Sequence, residues 1–227
     1  MGALLLVPAL ILAMLYLFDG SAAGLPYPWN AALKASGIVL LAVYAALKRF
    51  PLVALALALS AIGDVMLALQ PPQMTYGIAA FGLAHIVYAA IFAGLIRAKG
   101  TRGLPGYIAA GVLALIGIAM LVWLQPGMGE LRIPATIYNG VIIVMACLAL
   151  VSRAPMIAVA GALLFVLSDS LIALGLFMDY DPAWRGPAVW VTYVAAQFGL
   201  ALRFGFPARE LFRRQNGGRR GRGPREL

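Results

Sequence analysis

The chain has 227 residues, of which 63% are hydrophobic and only 11% charged, and it carries a formal net charge of +9. Its mean hydropathy of +0.95 is far too high for a soluble domain of this length. The composition therefore excludes a water-soluble globular protein and predicts an all-α, polytopic membrane helix bundle.

Hydrophobic stretches separated by turn-forming segments predict about eight transmembrane helices. Each stretch approaches the roughly 20 apolar residues that a helix needs to cross the hydrocarbon core, and the breaks are rich in Pro, Gly and charge. The first stretch lacks the positive start of a signal peptide, so we expect a retained span. The predicted spans are residues 3–18, 31–47, 51–69, 76–97, 106–124, 134–151, 155–178 and 187–206.

Basic residues lie mostly at one end of these predicted helices. Of the 17 lysines and arginines, all but Lys34, Arg132 and Arg185 fall on the same side. Loops rich in Lys and Arg stay in the cytoplasm. We therefore expect both termini to be cytoplasmic, in a multi-pass protein of a bacterial inner membrane.

The sequence divides into a transmembrane catalytic domain, residues 1–206, and a basic tail, residues 207–227. The tail ends in RRQNGGRRGRGPREL, which has no aromatic residue for base stacking. We expect the tail to be disordered and to contact anionic membrane lipids, and we predict no nucleic-acid binding. Cys147 is the only cysteine, so no internal disulfide is possible and no thiolate metal site is expected.

Ionisable side chains inside the predicted spans are the first candidates for function, because each costs roughly 2.5–3.5 kcal/mol to insert. Asp64, His85 and Asp169 lie in the third, fourth and seventh spans, and Lys34 lies near the start of the second. Counted from the outer ends of their helices, all four are roughly 5–14 Å below the outer boundary. This shared depth predicts one polar cavity that opens toward the outer side.

Uncharged polar residues extend the same layer. Interhelical hydrogen bonds alone would also account for such residues, and Lys34 near the interface either snorkels or binds an anionic headgroup. The predicted substrate-binding residues are Lys34, Ser60, Tyr88, Asn139, Ser168, Tyr193 and Gln197.

Small residues next to the two aspartates carry their own expectations. Ser168 and Ser170 flank Asp169 without forming a nucleophile elbow, so we expect them to orient its carboxylate. Gly63, immediately before Asp64, predicts the close approach of another helix backbone.

The polar layer is suited to acid–base chemistry. Hydrocarbon surroundings disfavour a charged carboxylate, so one aspartate of a pair can hold a proton while the other acts as base or charge stabiliser. His85 can orient water or relay protons. One histidine with two aspartates is a poor zinc site, and the chain has no phosphate-cradling glycine loop. We therefore predict no metal and no cofactor, and either metal-free hydrolysis or proton-coupled transport.

Four segments resemble the YhhN-type family of integral membrane lysoplasmalogenases, and they occur in the family's order: LSAIGDVMLAL, FGLAHIVYAAIF, AGALLFVLSDSLIAL and VTYVAAQFGLAL. The resemblance implies hydrolysis of the vinyl ether bond of lysoplasmalogens to a fatty aldehyde and a glycerophospho-ethanolamine or -choline. In that reaction we expect Asp64 or Asp169 to donate the proton and the other to stabilise the cation, with His85 activating water and Lys34 meeting the phosphate of the lysophospholipid.

Three other functional classes are also compatible with the sequence. A proton-coupled carrier of lipids or small molecules would use the same carboxylates, an intramembrane aspartyl protease would use two aspartates on separate helices, and a purely structural protein would need neither. The sequence does not determine the oligomeric state, the headgroup and chain preferences or whether the natural substrate is a plasmalogen.

Overall fold

A computed structural model describes residues 2–18 and 24–203, and in these ranges eight α-helices follow a short 3₁₀ turn. This confirms the predicted all-α bundle, and the helix bounds differ from the predicted ones by only a few residues. The predicted basic tail lies outside the described residues. The helices are α1 Leu6–Phe18, α2 Trp29–Leu47, α3 Pro51–Ala68, α4 Met74–Lys99, α5 Leu104–Leu124, α6 Arg132–Val151, α7 Met156–Met178 and α8 Arg185–Arg203.

The helix ends coincide with residues that suit them. Pro51 is the first residue of α3, and a proline also lies in the first turn of α5, where the missing N–H has no helical partner to lose. Helix α7 ends at Met178 and is followed by Asp179, whose φ of 52° is left-handed, a conformation that commonly stops helices. These signals explain why the sequence predicts the bounds well.

Six helices, α2 to α7, are long and apolar enough to cross a membrane. The other two described helices differ for separate reasons, since α1 has only 13 residues and α8 carries polar and basic residues along its 19 positions. The polar residues Tyr193 and Gln197 of α8 are buried. Helix α8 therefore lies within the bundle and hides its polar groups from lipid.

Close contacts hold α8 against α7 and α1. A Cβ added to Gly161 of α7 would lie 2.9 Å from the carbonyl oxygen of Ala196 on α8, so only glycine allows this approach. The indole Nε1 of Trp190 donates a 2.7 Å hydrogen bond to the carbonyl of Ala13 on α1. Helix α1 is thus attached to the bundle although it is short.

Helix α5 lies at the edge of the bundle. Helix α4 packs directly against α6, whereas α5 packs mainly on α6 and touches α7. Much of its surface is exposed, including Ile116 and Ile118. In a membrane these exposed apolar side chains face lipid.

The loops that precede α5 and α7 are joined in a structure that we call the clasp. Thr101 and Ser152 form an isolated antiparallel bridge. Arg153 Nε donates a 2.8 Å hydrogen bond to the carbonyl of Thr101, and Arg102 donates one to the carbonyl of Ala154. The clasp therefore fixes the two ends of the α5–α6 hairpin to each other.

Candidate active site

A cavity of about 270 Å³ lies in the half of the bundle opposite the clasp. All eight helices contribute to its lining, from Tyr16 on α1 to Tyr193 on α8. The position agrees with the predicted polar layer near the outer ends of the helices. The predicted site residues that line it are Lys34, Asp64, Asn139, Ser168, Asp169 and Tyr193.

The remaining predicted residues lie behind the cavity wall. His85, Ser60, Tyr88 and Gln197 are fully buried and do not belong to the lining. The Tyr88 hydroxyl donates a 3.3 Å hydrogen bond to Gln197 Oε1, which links α4 to α8. Of these four residues, His85 is connected to the cavity lining by a hydrogen bond to Tyr138. Ser60, Tyr88 and Gln197 lie in the packed layer beneath the cavity.

Asp64 is held by a tyrosine and lies near the lysine. It is only 2% exposed, and the Tyr193 hydroxyl donates a 2.6 Å hydrogen bond to its Oδ2. The Lys34 cation is close enough to interact electrostatically with Asp64, and both side chains line the cavity. A buried carboxylate with a donor and a nearby cation satisfies the requirement that buried polar groups be paired.

Asp169 belongs to a second network that ends at the histidine. The Tyr138 hydroxyl donates a hydrogen bond to Asp169 Oδ2, and His85 Nε2 lies 2.9 Å from the Tyr138 oxygen. The same ring nitrogen is 3.7 Å from Asp169 Oδ2. With the tyrosine proton directed at Asp169, the Tyr138 oxygen is left to accept a hydrogen bond, which the Nε2-protonated tautomer of His85 supplies. Tyr138 therefore bridges the histidine and the carboxylate.

Sequence reasoning missed Tyr138, although it lines the cavity. The available signal was its position next to Asn139, in the polar layer of the sixth predicted span. A tyrosine inside a span is equally compatible with simple packing. Only the position of α6 against α4 and α7 shows that its hydroxyl lies between His85 and Asp169.

Aromatic rings separate the two networks. The Phe165 ring is 4.5 Å from the His85 ring and 5.5 Å from the Tyr193 ring, between centroids, and it packs edge-on against Phe81. A Cβ on Gly63 would lie 2.6 Å from the Phe81 ring. Gly63 thus makes room for this aromatic side chain, and the α4 backbone also approaches it, since a Cβ added at Gly77 would lie 3.7 Å from the Gly63 carbonyl oxygen.

Ser168 acts differently from the expectation that it orients Asp169. Its hydroxyl donates a 3.0 Å hydrogen bond to the carbonyl of Val189 on α8, so its single proton is not available to the carboxylate. Ser170, on the other flank of Asp169, lines the cavity. Ser168 thus joins α7 to α8, and Tyr138 takes over the contact with the carboxylate.

One side of the cavity is entirely hydrophobic, and we call it the apolar wall. Its side chains carry no polar group, so it offers a surface that a hydrocarbon chain can contact. Its members come from three helices: Leu113, Ile116 and Gly117 of α5, Ile142 and Ile143 of α6, and Val166 of α7.

The titratable groups do not gather into a metal-ligand set within residues 2–18 and 24–203. No three His, Cys, Asp or Glu side chains of these ranges are grouped closely enough to hold a metal ion. The arrangement can instead donate and accept protons at two carboxylates and a histidine beside an apolar surface.

The sequence matches the profile of the YhhN family over residues 29–204. Two curated relatives are the lysoplasmalogenases of Mycobacterium bovis and Mycobacterium tuberculosis, each 36% identical over 157 residues, which cover 66% of this chain and 59% of the relative. The match thus spans less than two thirds of each relative's length. No solved structure matches the chain. Since the family profile covers most of the sequence, including every charged residue of the cavity, the chain belongs to the YhhN family.

Proposed function

We propose that the protein hydrolyses the vinyl ether bond of lysoplasmalogens, releasing a fatty aldehyde and a glycerophospho-ethanolamine or -choline. The observation that carries the proposal is the pairing of Asp64 and Asp169 in one cavity with Lys34 and the apolar wall. The names of the two mycobacterial relatives support the same reaction. A bacterial inner membrane is the location we propose, with the basic loops in the cytoplasm.

The reaction requires three proton movements. One carboxylic acid of the Asp64–Asp169 pair protonates the alkenyl carbon that is not bonded to oxygen, and the resulting oxocarbenium ion is stabilised by the other carboxylate. Water then adds to the carbon bonded to oxygen and gives one proton to a carboxylate of the pair. The hemiacetal hydroxyl passes its proton through the same pair to the glycerol oxygen as the bond between carbon and that oxygen breaks, which leaves the aldehyde and the free glycerol hydroxyl.

The neighbouring residues support these steps. The His85–Tyr138 pair holds the Asp169 carboxylate in a fixed orientation, and Tyr193 does the same for Asp64. Lys34 supplies the positive charge that a substrate phosphate needs. The apolar wall accepts the alkenyl chain, so that the vinyl ether lies between the chain and the phosphate, beside the carboxylates.

The test is aldehyde release from a lysoplasmalogen by the detergent-purified protein, in the presence and absence of a chelator. Asp64→Asn and Asp169→Asn should each lower kcat by about 10²–10⁴-fold, and the chelator should have no effect. Asp179→Asn is the matched control, because Asp179 is exposed and its left-handed backbone suits asparagine equally well. Full activity in both cavity variants contradicts the mechanism, and no release from any lysolipid favours the proton-coupled carrier, which needs a gradient.

A further inference from the structure

The cavity reaches the lipid-facing surface at the middle of α5. Ile116 lines the cavity, yet the residue is 58% exposed. It lies near the midpoint of a helix that is long enough to cross the membrane. An exposed side chain at that depth faces hydrocarbon, so the cavity is accessible from the bilayer at this point.

The opening lies between α5 and α7. Helix α5 meets α6 through Gly117, where an added Cβ would lie 2.6 Å from Ile143. Leu113, Ile116 and Met120 line the cavity at helical spacing, so they form a stripe beside the contact with α6. This stripe borders the cavity on the side of α7. Helix α5, at the edge of the bundle, has few contacts with α7.

A small hydrophobic cluster closes the same cleft nearer to the outer end of the helices. Leu124, Met128 and Ala135 are buried there and pack against side chains of α7, including Phe177. The cleft between α5 and α7 is therefore filled by apolar side chains near its outer end, where they also line the cavity, and Ile116 lies at its exposed edge closer to the helix midpoint. An edge built only of apolar side chains favours a hydrocarbon chain over a polar group.

We infer that the cleft between α5 and α7 is a lateral opening through which the hydrocarbon chain of a single-chain lysophospholipid passes from the bilayer into the cavity, with Ile116 at its edge. The inference rests on the proposed function for the identity of the lipid. The chain can cross the apolar wall without desolvating any charge. The phosphate stays on the side of Lys34, where a cation is present.

The chain offers a matched pair of variants for the test. Ile116 and Ile118 are the same residue type on the same helix, each 58% exposed, but only Ile116 lines the cavity. Ile116→Trp should lower kcat/KM for a long-chain vinyl ether lysolipid in vesicles by about tenfold or more, a typical effect of excluding a group from an apolar pocket. Ile118→Trp should leave it unchanged.

A short-chain, water-soluble vinyl ether lysolipid separates the opening from the reaction site. It does not have to come from the bilayer, so Ile116→Trp should lose much less kcat/KM on it than on the long-chain substrate, although Ile116 also belongs to the apolar wall. Equal losses on both substrates would mean that the new indole fills the reaction site, and equal rates in the two tryptophan variants would mean that no chain passes Ile116. Either result overturns the lateral opening.

A binding measurement distinguishes failure of this inference from failure of the proposed function. A lysophospholipid with a photoreactive diazirine at the end of its chain is crosslinked to the wild-type protein in vesicles, and the adducts are located by mass spectrometry. Adducts at Leu113, Ile116 or Val166 that unlabelled lysolipid suppresses support the opening even if no hydrolysis occurs. Adducts confined to fully lipid-facing positions such as Leu115, and unaffected by competitor, overturn it.

Discussion

Tyr193 on α8 donates a 2.6 Å hydrogen bond to Asp64 on α3, while the other cavity aspartate, Asp169, is bonded by Tyr138 on α6. Each carboxylate thus has its own tyrosine, and Phe165 separates the two pairs. Buried carboxylates without such donors are strongly unfavourable. The two tyrosines therefore hold the proposed catalytic groups in place within hydrocarbon surroundings.

Replacement of Tyr193 by phenylalanine should affect stability and turnover together. The change leaves the buried Asp64 carboxylate without its donor, which typically costs about 1–3 kcal/mol. We expect a lower thermal midpoint in detergent and a reduced kcat for aldehyde release. Tyr76→Phe is the control, because Tyr76 is 66% exposed on α4. An unchanged kcat in Tyr193→Phe would show that the Tyr193 hydroxyl takes no part in the reaction.

Tyr138 and His85 should behave as one unit. Tyr138→Phe breaks the bridge between His85 and Asp169, and we expect kcat to fall by about ten- to a hundredfold with little change in KM. Adding His85→Gln should then cost little more, since contacting residues of one network are not additive. Kinetics of the two single variants and the double variant measure this coupling. Strictly additive losses would show that His85 acts independently of Tyr138.

Lys34 should distinguish substrates by their phosphate. Lys34→Met should raise KM for a lysoplasmalogen but leave KM unchanged for an alkenyl glycerol that lacks the phosphate, and Lys34→Arg should retain most of the affinity because the charge remains. KM measurements on the two substrates make the comparison. An equal effect on both would mean that Lys34 supports Asp64 without contacting the headgroup.

Gly117 should control the space at the apolar wall. A side chain there meets Ile143, with 2.6 Å between the added Cβ and the Ile143 Cδ1 atom, so Gly117→Val should push Ile143 into the cavity and raise KM for long-chain substrates severalfold. Gly111→Val is the control on the same helix, since nothing lies within 4 Å of an added Cβ at Gly111. Similar KM values in the two variants would exclude Gly117 from the chain site.

The helices and the depth of the polar layer can be predicted from the sequence. For example, the predicted span 76–97 corresponds to α4 at Met74–Lys99, because proline, glycine and charge mark the ends of apolar runs. Depth follows from counting residues along each helix. This count puts Lys34, Asp64, His85 and Asp169 in one layer, and three of them share the cavity, while His85 is buried behind its wall.

The partners within that layer could not be predicted. Which tyrosine meets which aspartate depends on the order of helices around the bundle, and α4 packs on α6 instead of on its successor α5. A serine hydroxyl such as that of Ser168 can choose among several carbonyls and carboxylates. Hydropathy carries no information on these lateral choices, which side-chain shape and packing decide.

The clasp determines how the bundle can change shape. It joins Thr101 to Ser152 and so fixes both feet of the α5–α6 hairpin at the end remote from the cavity. The α5–α6 hairpin is therefore tethered at the end remote from the cavity, and any change in the angle between α5 and α7 has to preserve the contact between Thr101 and Ser152.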